Sequence, residues 1–346
     1  MTLSREEAAT NLIDGLPDEM MIGIFKYLPL ETLLECENVC SRWKKLSRDA
    51  TLWRRFVLVY SGKPGQSEVS DRNLEIIHTH SECIQCLKIQ YIHSYAVIKG
   101  ITALCPNIIS IEIVMCRISK EFENDIQNWP NLRKINLKNS LILMNNEDVF
   151  VPYDSFKYLN FLGLADFGLP AATRDSLLRC YNLSHIFIEK VKNLDLEYVK
   201  KLINSKIEIL KSLHIYGGDA IDDECLLMLS HCRLLRDLAI IRCNKLTDAG
   251  LIKLADLKQL QHLQIWNNAS FTESTLHRTL SSPNLVNLIS LSLSRIRNNS
   301  PMIVDVISEY YKNLKFLAVY QCPKIMNTDY ERQLKSKFRN IDIVLY

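Results

Sequence analysis

The sequence predicts an α/β fold: a small helical module followed by a curved solenoid of parallel strands and outer helices. Three observations carry this. A short apolar motif, L-x-x-L-x-L, recurs at a nearly constant interval; residues suited to helix N-caps follow it at a fixed distance; and residues 16–56 are apolar at helical spacing with no such interval.

The motif is plainest at Leu235, Leu238 and Ile240, with Cys243 where such repeats carry Asn or Cys. Its first apolar position recurs at Ile84, Ile108, Leu132, Leu159, Leu183, Leu210, Leu235, Leu260, Leu288 and Leu314, with Phe338 as a weaker eleventh. The steps run 24, 24, 27, 24, 27, 25, 25, 28, 26 and 24 residues. That is the interval of a leucine-rich repeat, roughly 20 to 29 residues.

Other columns follow in phase. Three residues before the first apolar position stand Cys105, Trp129, Phe156, Cys180, Ile207, Cys232, Leu257, Leu285 and Tyr311, which predicts a core column. Eight residues after it, Cys116, Cys243 and Cys322, with Ser140 and Asn268, can bond a neighbouring turn. Twelve after it, Asp195, Asp222, Thr247, Thr272 and Ser300 predict N-caps. A strand returning through a helix to a parallel strand makes a right-handed crossover, so strands line the concave side and helices the convex. Between Ser140 and Phe156 the capping pattern fails, and a loop or irregular helix is expected.

Residues 16–56 differ. Pro17 suits a helix start, Asp18 and Glu19 suit the positive end of its dipole, and Met21, Ile24, Phe25 and Leu28 share one face. Pro29 ends that helix, a second carries Leu30, Leu33 and Leu34, and a third, capped by Ser41, presents Trp43 and Leu46. Three short helices bury too little to stand alone. On pattern alone, the module either caps the solenoid or docks on a partner.

The series Leu16-Pro17-Asp18-Glu19, Ile24-Phe25, Leu28-Pro29, Leu33-Leu34, Val39-Cys40, Arg42-Trp43 and Leu52-Trp53 resembles the F-box motif. With the repeats behind it, the chain resembles F-box/leucine-rich-repeat substrate receptors. The resemblance implies a non-enzymatic receptor whose F-box docks on the adaptor subunit of an SCF ubiquitin ligase and, through it, on a cullin and a RING subunit. It also implies that Leu16, Pro17, Ile24, Val39, Cys40, Trp43 and Trp53 form or support the adaptor interface. The repeats would then hold an unknown protein substrate for ubiquitination and proteasomal degradation. A repeat scaffold or inhibitor acting without a ligase is the alternative.

The expected division is a flexible 1–11, an F-box over 12–57, a linker over 58–80 with a helix from Asp71 to His80, and repeats over 81–346. Strand alternation sends Phe187, Tyr216, Ile241 and Trp266, in four consecutive repeats, to the concave face, and these are the candidate substrate-binding residues. Repeats two to four, including Phe161, show no single preference there.

Apolar content of 47% and charged content of 23% fit a globular core, and a net charge of +3 argues against a nucleic-acid or membrane partner. The first residues lack the apolar run of a signal peptide, and eleven cysteines without a compact framework read as reduced thiols in cytoplasm or nucleus. His78, His80, Cys83 and Cys86 have zinc-ligand chemistry but too tight a spacing, so no metal or other cofactor is expected. No glycine-rich phosphate loop or nucleophile–base pair stands out.

Overall fold

Four short helices lead into one long parallel sheet in the computed structural model, which describes residues 13, 15–62, 71–137, 141–142, 151–165, 168–191, 194–266, 271–294, 302–320, 329–337 and 342–345. The helices are α1 (Asp18–Phe25), α2 (Leu30–Glu35), α3 (Ser41–Ser47) and α4 (Ala50–Trp53). Pro17 and Pro29 stand just before α1 and α2, where a missing N–H is harmless. The cap of α3 is Cys40 and not Ser41: the Trp43 backbone N–H donates to Cys40 Sγ at 3.5 Å.

The strands are β1 (Val57–Ser61), β2 (Cys86–Gln90), β3 (Ser110–Val114), β4 (Arg117–Ile118), β5 (Lys134–Leu137), β6 (Leu141–Ile142), β7 (Phe161–Ala165), β8 (His185–Glu189), β9 (Ser212–Asp222), β10 (Asp237–Lys245), β11 (His262–Trp266), β12 (Ser290–Ser294), β13 (Phe316–Tyr320) and β14 (Asp342–Leu345). All but β4 and β6, which pair with each other, join one parallel sheet in chain order. Between them run α5 (Asp71–His80), α6 (Tyr95–Leu104), α7 (Phe122–Asp125), α8 (Ala171–Arg179), α9 (Leu196–Lys206), α10 (Asp223–Ser230), α11 (Asp248–Leu251), α12 (Glu273–Leu280), α13 (Met302–Tyr310) and α14 (Asp329–Lys337). This is the α/β solenoid the repeat interval predicts.

Register is the reason the interval matters. Leu213, Leu238, Leu263 and Leu291 lie side by side on four strands, as do Ile215, Ile240, Ile265 and Leu293, and all are buried. A shift of one residue on any strand would turn its leucines out to solvent. The column three residues earlier is buried throughout except for a half-buried Ile207. Asp195, Asp222, Thr247 and Thr272 each accept a backbone N–H at the start of α9 to α12; Ser300, Asn268 and Cys322 lie outside the described residues, as does most of 140–156.

Two ladders join the repeats beyond the strands. Asp223 accepts from Thr247 N at 2.8 Å and from its hydroxyl at 2.5 Å, and Asp248 binds Thr272 likewise at 2.8 and 2.6 Å. Asn107, Asn182 and Asn287, one residue before the first apolar position, donate to the carbonyls of Glu82, Lys157 and Lys258 in the preceding repeat at 2.7 to 2.9 Å. Seven residues after that position the backbone is left-handed: Tyr91 (φ 59°), Met115 (52°), Lys190 (46°) and Arg242 (55°). Gly217, which needs no such tolerance, fills this slot in the repeat of β9.

The array starts earlier than the sequence placed it. Val57–Ser61, at the F-box end and in the segment read as linker, pairs with Cys86–Gln90 as the first strand. By that register Arg55 holds the leucine slot, and its guanidinium instead donates to the carbonyls of Phe25, Lys26 and Leu28, closing the end of α1.

The helical module and the solenoid share a polar seam. Glu37 accepts from Arg48 at 2.9 Å and lies 2.7 Å from His80 Nε2. Cys83 and Cys86 donate to the carbonyls of Arg48 and Arg54 at 3.4 and 3.3 Å, so His80, Cys83 and Cys86 all reach into the F-box. Burial pushes the Glu37 carboxyl up, but the hydrogen bonds from Arg48 and His80 outweigh it and hold it below the ordinary carboxylate range. A depressed carboxyl stabilises the fold above its unfolded pKa of about 4.3, and that stability is lost as pH falls through the lower folded value. Glu37→Gln is therefore expected to flatten the acid side of a urea-midpoint profile below about pH 4.3. An unchanged acid limb would show that the seam contributes nothing.

Candidate functional site

The first candidate surface is on the helical module. Met20 and Ile24 on α1 and Tyr27 in the turn that follows it keep a helical spacing and are 56%, 47% and 89% exposed, whereas Met21 and Phe25 on another face of α1 are buried. Val39 is 60% exposed where the chain turns from α2 to α3, and Pro17 and Cys40 are exposed as well. Leu16 is half-buried, its carbonyl held by the Arg42 guanidinium, which also pairs with Asp18 at 2.7 Å and so braces the start of α1 against α3. Trp43 is half-buried edge-on against Phe25, ring centres 5.3 Å apart, and its Nε1–H has no acceptor among the described residues. Met20 and Tyr27 were not singled out from the sequence; the 20/24/27 spacing is the signal that marks them.

Trp53 is a correction. At 2% exposure it offers no surface to a partner. Its Nε1–H donates to the Ser47 carbonyl at 2.9 Å, and its ring stacks on His80 at 5.2 Å and meets Phe56 edge-on at 6.4 Å. The residue belongs to the seam, a role the motif alone cannot separate from docking.

The second surface is the sheet face away from the buried leucines. Tyr216, Ile241 and Trp266 are in direct register on β9, β10 and β11, and Phe187 lies one strand earlier in the adjoining row, opposite His214. Trp266 is 40% exposed and donates its indole N–H to Ser292 at 2.7 Å; Tyr216, Ile241 and Phe187 are half-buried. Phe187 stacks on Phe161 at 4.9 Å and touches His214 at 4.0 Å. Phe161, His185 and His214 thus extend the aromatic surface, and Gly163 beside them makes room for Asn136: a Cβ there would lie 2.4 Å from Asn136 Oδ1.

His214 Nε2 sits 2.8 Å from Asp237, and the Ser212 hydroxyl donates to the same carboxylate at 3.0 Å. Burial raises the Asp237 carboxyl, and His214 and Ser212 pull it back below the usual range. The cysteine columns are inert by contrast. Burial pushes Cys105, Cys225 and Cys232 up to about 12, so these thiols stay protonated at neutral pH. No group of side chains suited to a metal occurs among the described residues, and no helix among them is long and apolar enough to cross a membrane.

Residues 13–59 match the F-box-like family model. The chain is 34% identical over 64 residues to F-box/LRR-repeat protein 5 of Danio rerio, covering 16% of this chain and 9% of that protein. It is 42% identical over 50 residues to F-box/LRR-repeat protein 12 of Homo sapiens, covering 14% and 15%. The matched stretch thus spans 15% or less of these relatives' length. Among solved structures, an internalin of Listeria monocytogenes aligns over 80% of this chain and 89% of its own at 17% identity and a TM-score of 0.44. A yeast Rad7–Elc1 complex aligns over 94% and 92% at 15% identity and a TM-score of 0.42. The solenoid itself is established by the strand order and register given above. Residues 13–59 are an F-box-like domain, and over stretches of 50 to 64 residues the chain is similar to the F-box/LRR-repeat proteins.

Proposed function

We propose that this chain is a substrate-recognition subunit of an SCF-type ubiquitin ligase: the F-box-like domain docks on a Skp1-type adaptor, and the open face of the sheet holds a protein to be ubiquitinated. The observation that carries the reading is the F-box-like match over 13–59 together with the exposed apolar side chains of Met20, Ile24, Tyr27 and Val39 within it. Exposed apolar side chains at the centre of a surface are what an interface hot spot is made of. The chain contributes no chemistry of its own in this reading; it raises the effective concentration of substrate near a partner's reacting group.

Co-expression with a Skp1-type adaptor tests the docking. Wild type should retain the adaptor through purification, and Ile24→Asp/Val39→Asp should weaken it by at least about 100-fold, since hot-spot losses of about 2 kcal/mol or more each are typical. Melting temperature should barely change, because both side chains are largely exposed. A wild-type chain that retains no adaptor, or a variant that retains it fully, would sink the ligase reading in favour of a scaffold.

A further inference from the structure

One aromatic ring on the open face is held between two cations. Lys190 Nζ and the Arg242 guanidinium each stand 5.5 Å from the centre of the Tyr216 ring. Their placement follows from the repeat. Both occupy the left-handed slot that ends a strand, one on the repeat before β9 and one on the repeat after it, while Gly217 holds that slot between them.

The cations are poorly neutralised. Among the described residues Lys190 pairs only with Glu189, 3.9 Å away, and no carboxylate pairs with Arg242 or Lys245. A cleft of about 450 Å³ opens beside them, lined by Lys190, Val191, Leu194, Tyr216, Asp219 and Lys245 among others. Its other carboxylate, Asp195, is engaged by Arg174 at 2.9 Å. Two positive groups therefore flank the ring and a third, Lys245, lines the cleft beside it, against two carboxylates: Asp219 in the cleft and Glu189, the register neighbour of Tyr216. Guanidinium and ammonium groups held over a ring keep donors free for an anion, and the ring fixes their positions.

Resting on the capture role proposed above for the open face, we propose that Lys190, Arg242 and Lys245 around Tyr216 form a subsite for an anionic side chain of the captured protein, carboxylate or phosphate, entering in an extended segment. The apolar Ile241 and Trp266 next in the row would take the residues flanking that anion.

Three otherwise identical fluorescent peptides test this on the full chain by anisotropy, bearing glutamates, phosphoserines or glutamines at the centre. At least one anionic peptide should bind about tenfold or more tightly than the glutamine peptide, and added salt should reduce the difference. Glutamate matching phosphoserine identifies an acidic segment, and phosphoserine alone a phosphorylated one. Lys190→Gln/Arg242→Gln should abolish the preference with an unchanged melting temperature and unchanged adaptor retention. Equal binding of all three peptides, no measurable binding of either anionic one, or a preference that survives the double variant would overturn the subsite. Loss of adaptor binding by wild type would sink the ligase reading while leaving the peptide result standing.

Discussion

Trp53→Ala is expected to destabilise the protein by about 3–5 kcal/mol, the range for deleting a fully buried large aromatic. The indole is 2% exposed, so most of its surface is lost from the core at once. Two further losses add to the cavity. The Ser47 carbonyl, which receives the indole N–H at 2.9 Å, is left without that donor, and the stacking partner of His80 disappears. His80 in turn holds Glu37, so the change reaches the polar seam. Urea unfolding followed by far-ultraviolet circular dichroism should show a lower midpoint, and Trp53→Phe, which restores much of the ring but not the N–H, should recover part of it. A variant as stable as wild type would mean that the F-box is not packed on β1 and its helices as described.

Lys206→Ala should cost about 2–4 kcal/mol, an unusual expectation for a lysine. Lys206, at the end of α9, is 1% exposed, and its ammonium donates to the carbonyls of Leu178 at 3.0 Å and Cys180 at 2.7 Å in the preceding repeat. Burial lowers its pKa, the mark of a charge taken out of water. The two carbonyls lie where the chain leaves α8, and their lone pairs need a donor that the α8 ladder cannot supply. Alanine removes both the donor and the aliphatic stem, leaving a cavity and two orphaned acceptors. Lys206→Met keeps the stem and loses the donor, so it should fall between alanine and wild type, about 1–2 kcal/mol down. Guanidinium titrations of the three proteins would decide it; a methionine variant more stable than wild type would show that the desolvation of the ammonium exceeds what its hydrogen bonds return.

Much of the solenoid was legible because its rule is simple. Leu235, Leu238 and Ile240 announce a strand, Thr247 announces the next helix, and the interval says that each repeat packs on the last. What the rule could not find are residues that break it for a local reason. Arg55 occupies a leucine slot because the F-box helices cover that end of the sheet and offer carbonyls to its guanidinium, so β1 is invisible to a search for leucines. Lys190 and Arg242 adopt a left-handed backbone that only glycine or asparagine would have signalled. Asp223 and Asp248 look like ordinary first-turn acids until the neighbouring threonine is brought to 2.8 Å or less. On the helical module, a buried tryptophan and a half-buried one are the same letter in sequence, so Trp53 was grouped with Trp43 as forming or supporting the adaptor interface, whereas its three-dimensional neighbours make it core. The open-face residues were findable by alternation, but Phe161 joins them only through its stack on Phe187, which the alternation pattern does not show.

Strand β1 lies between the F-box-like helices and β2, so that end of the stack is covered, and β14 is the last strand of the sheet among the described residues. A chain whose contacts run only to nearest neighbours frays from its weaker end, one repeat at a time. Amide protons should therefore exchange with a gradient, slow near β1 and β2 and faster toward β13. Heat or a damaging substitution late in the sequence would open the strands nearest β14 first, while β1 and β2 stay packed on the helical module.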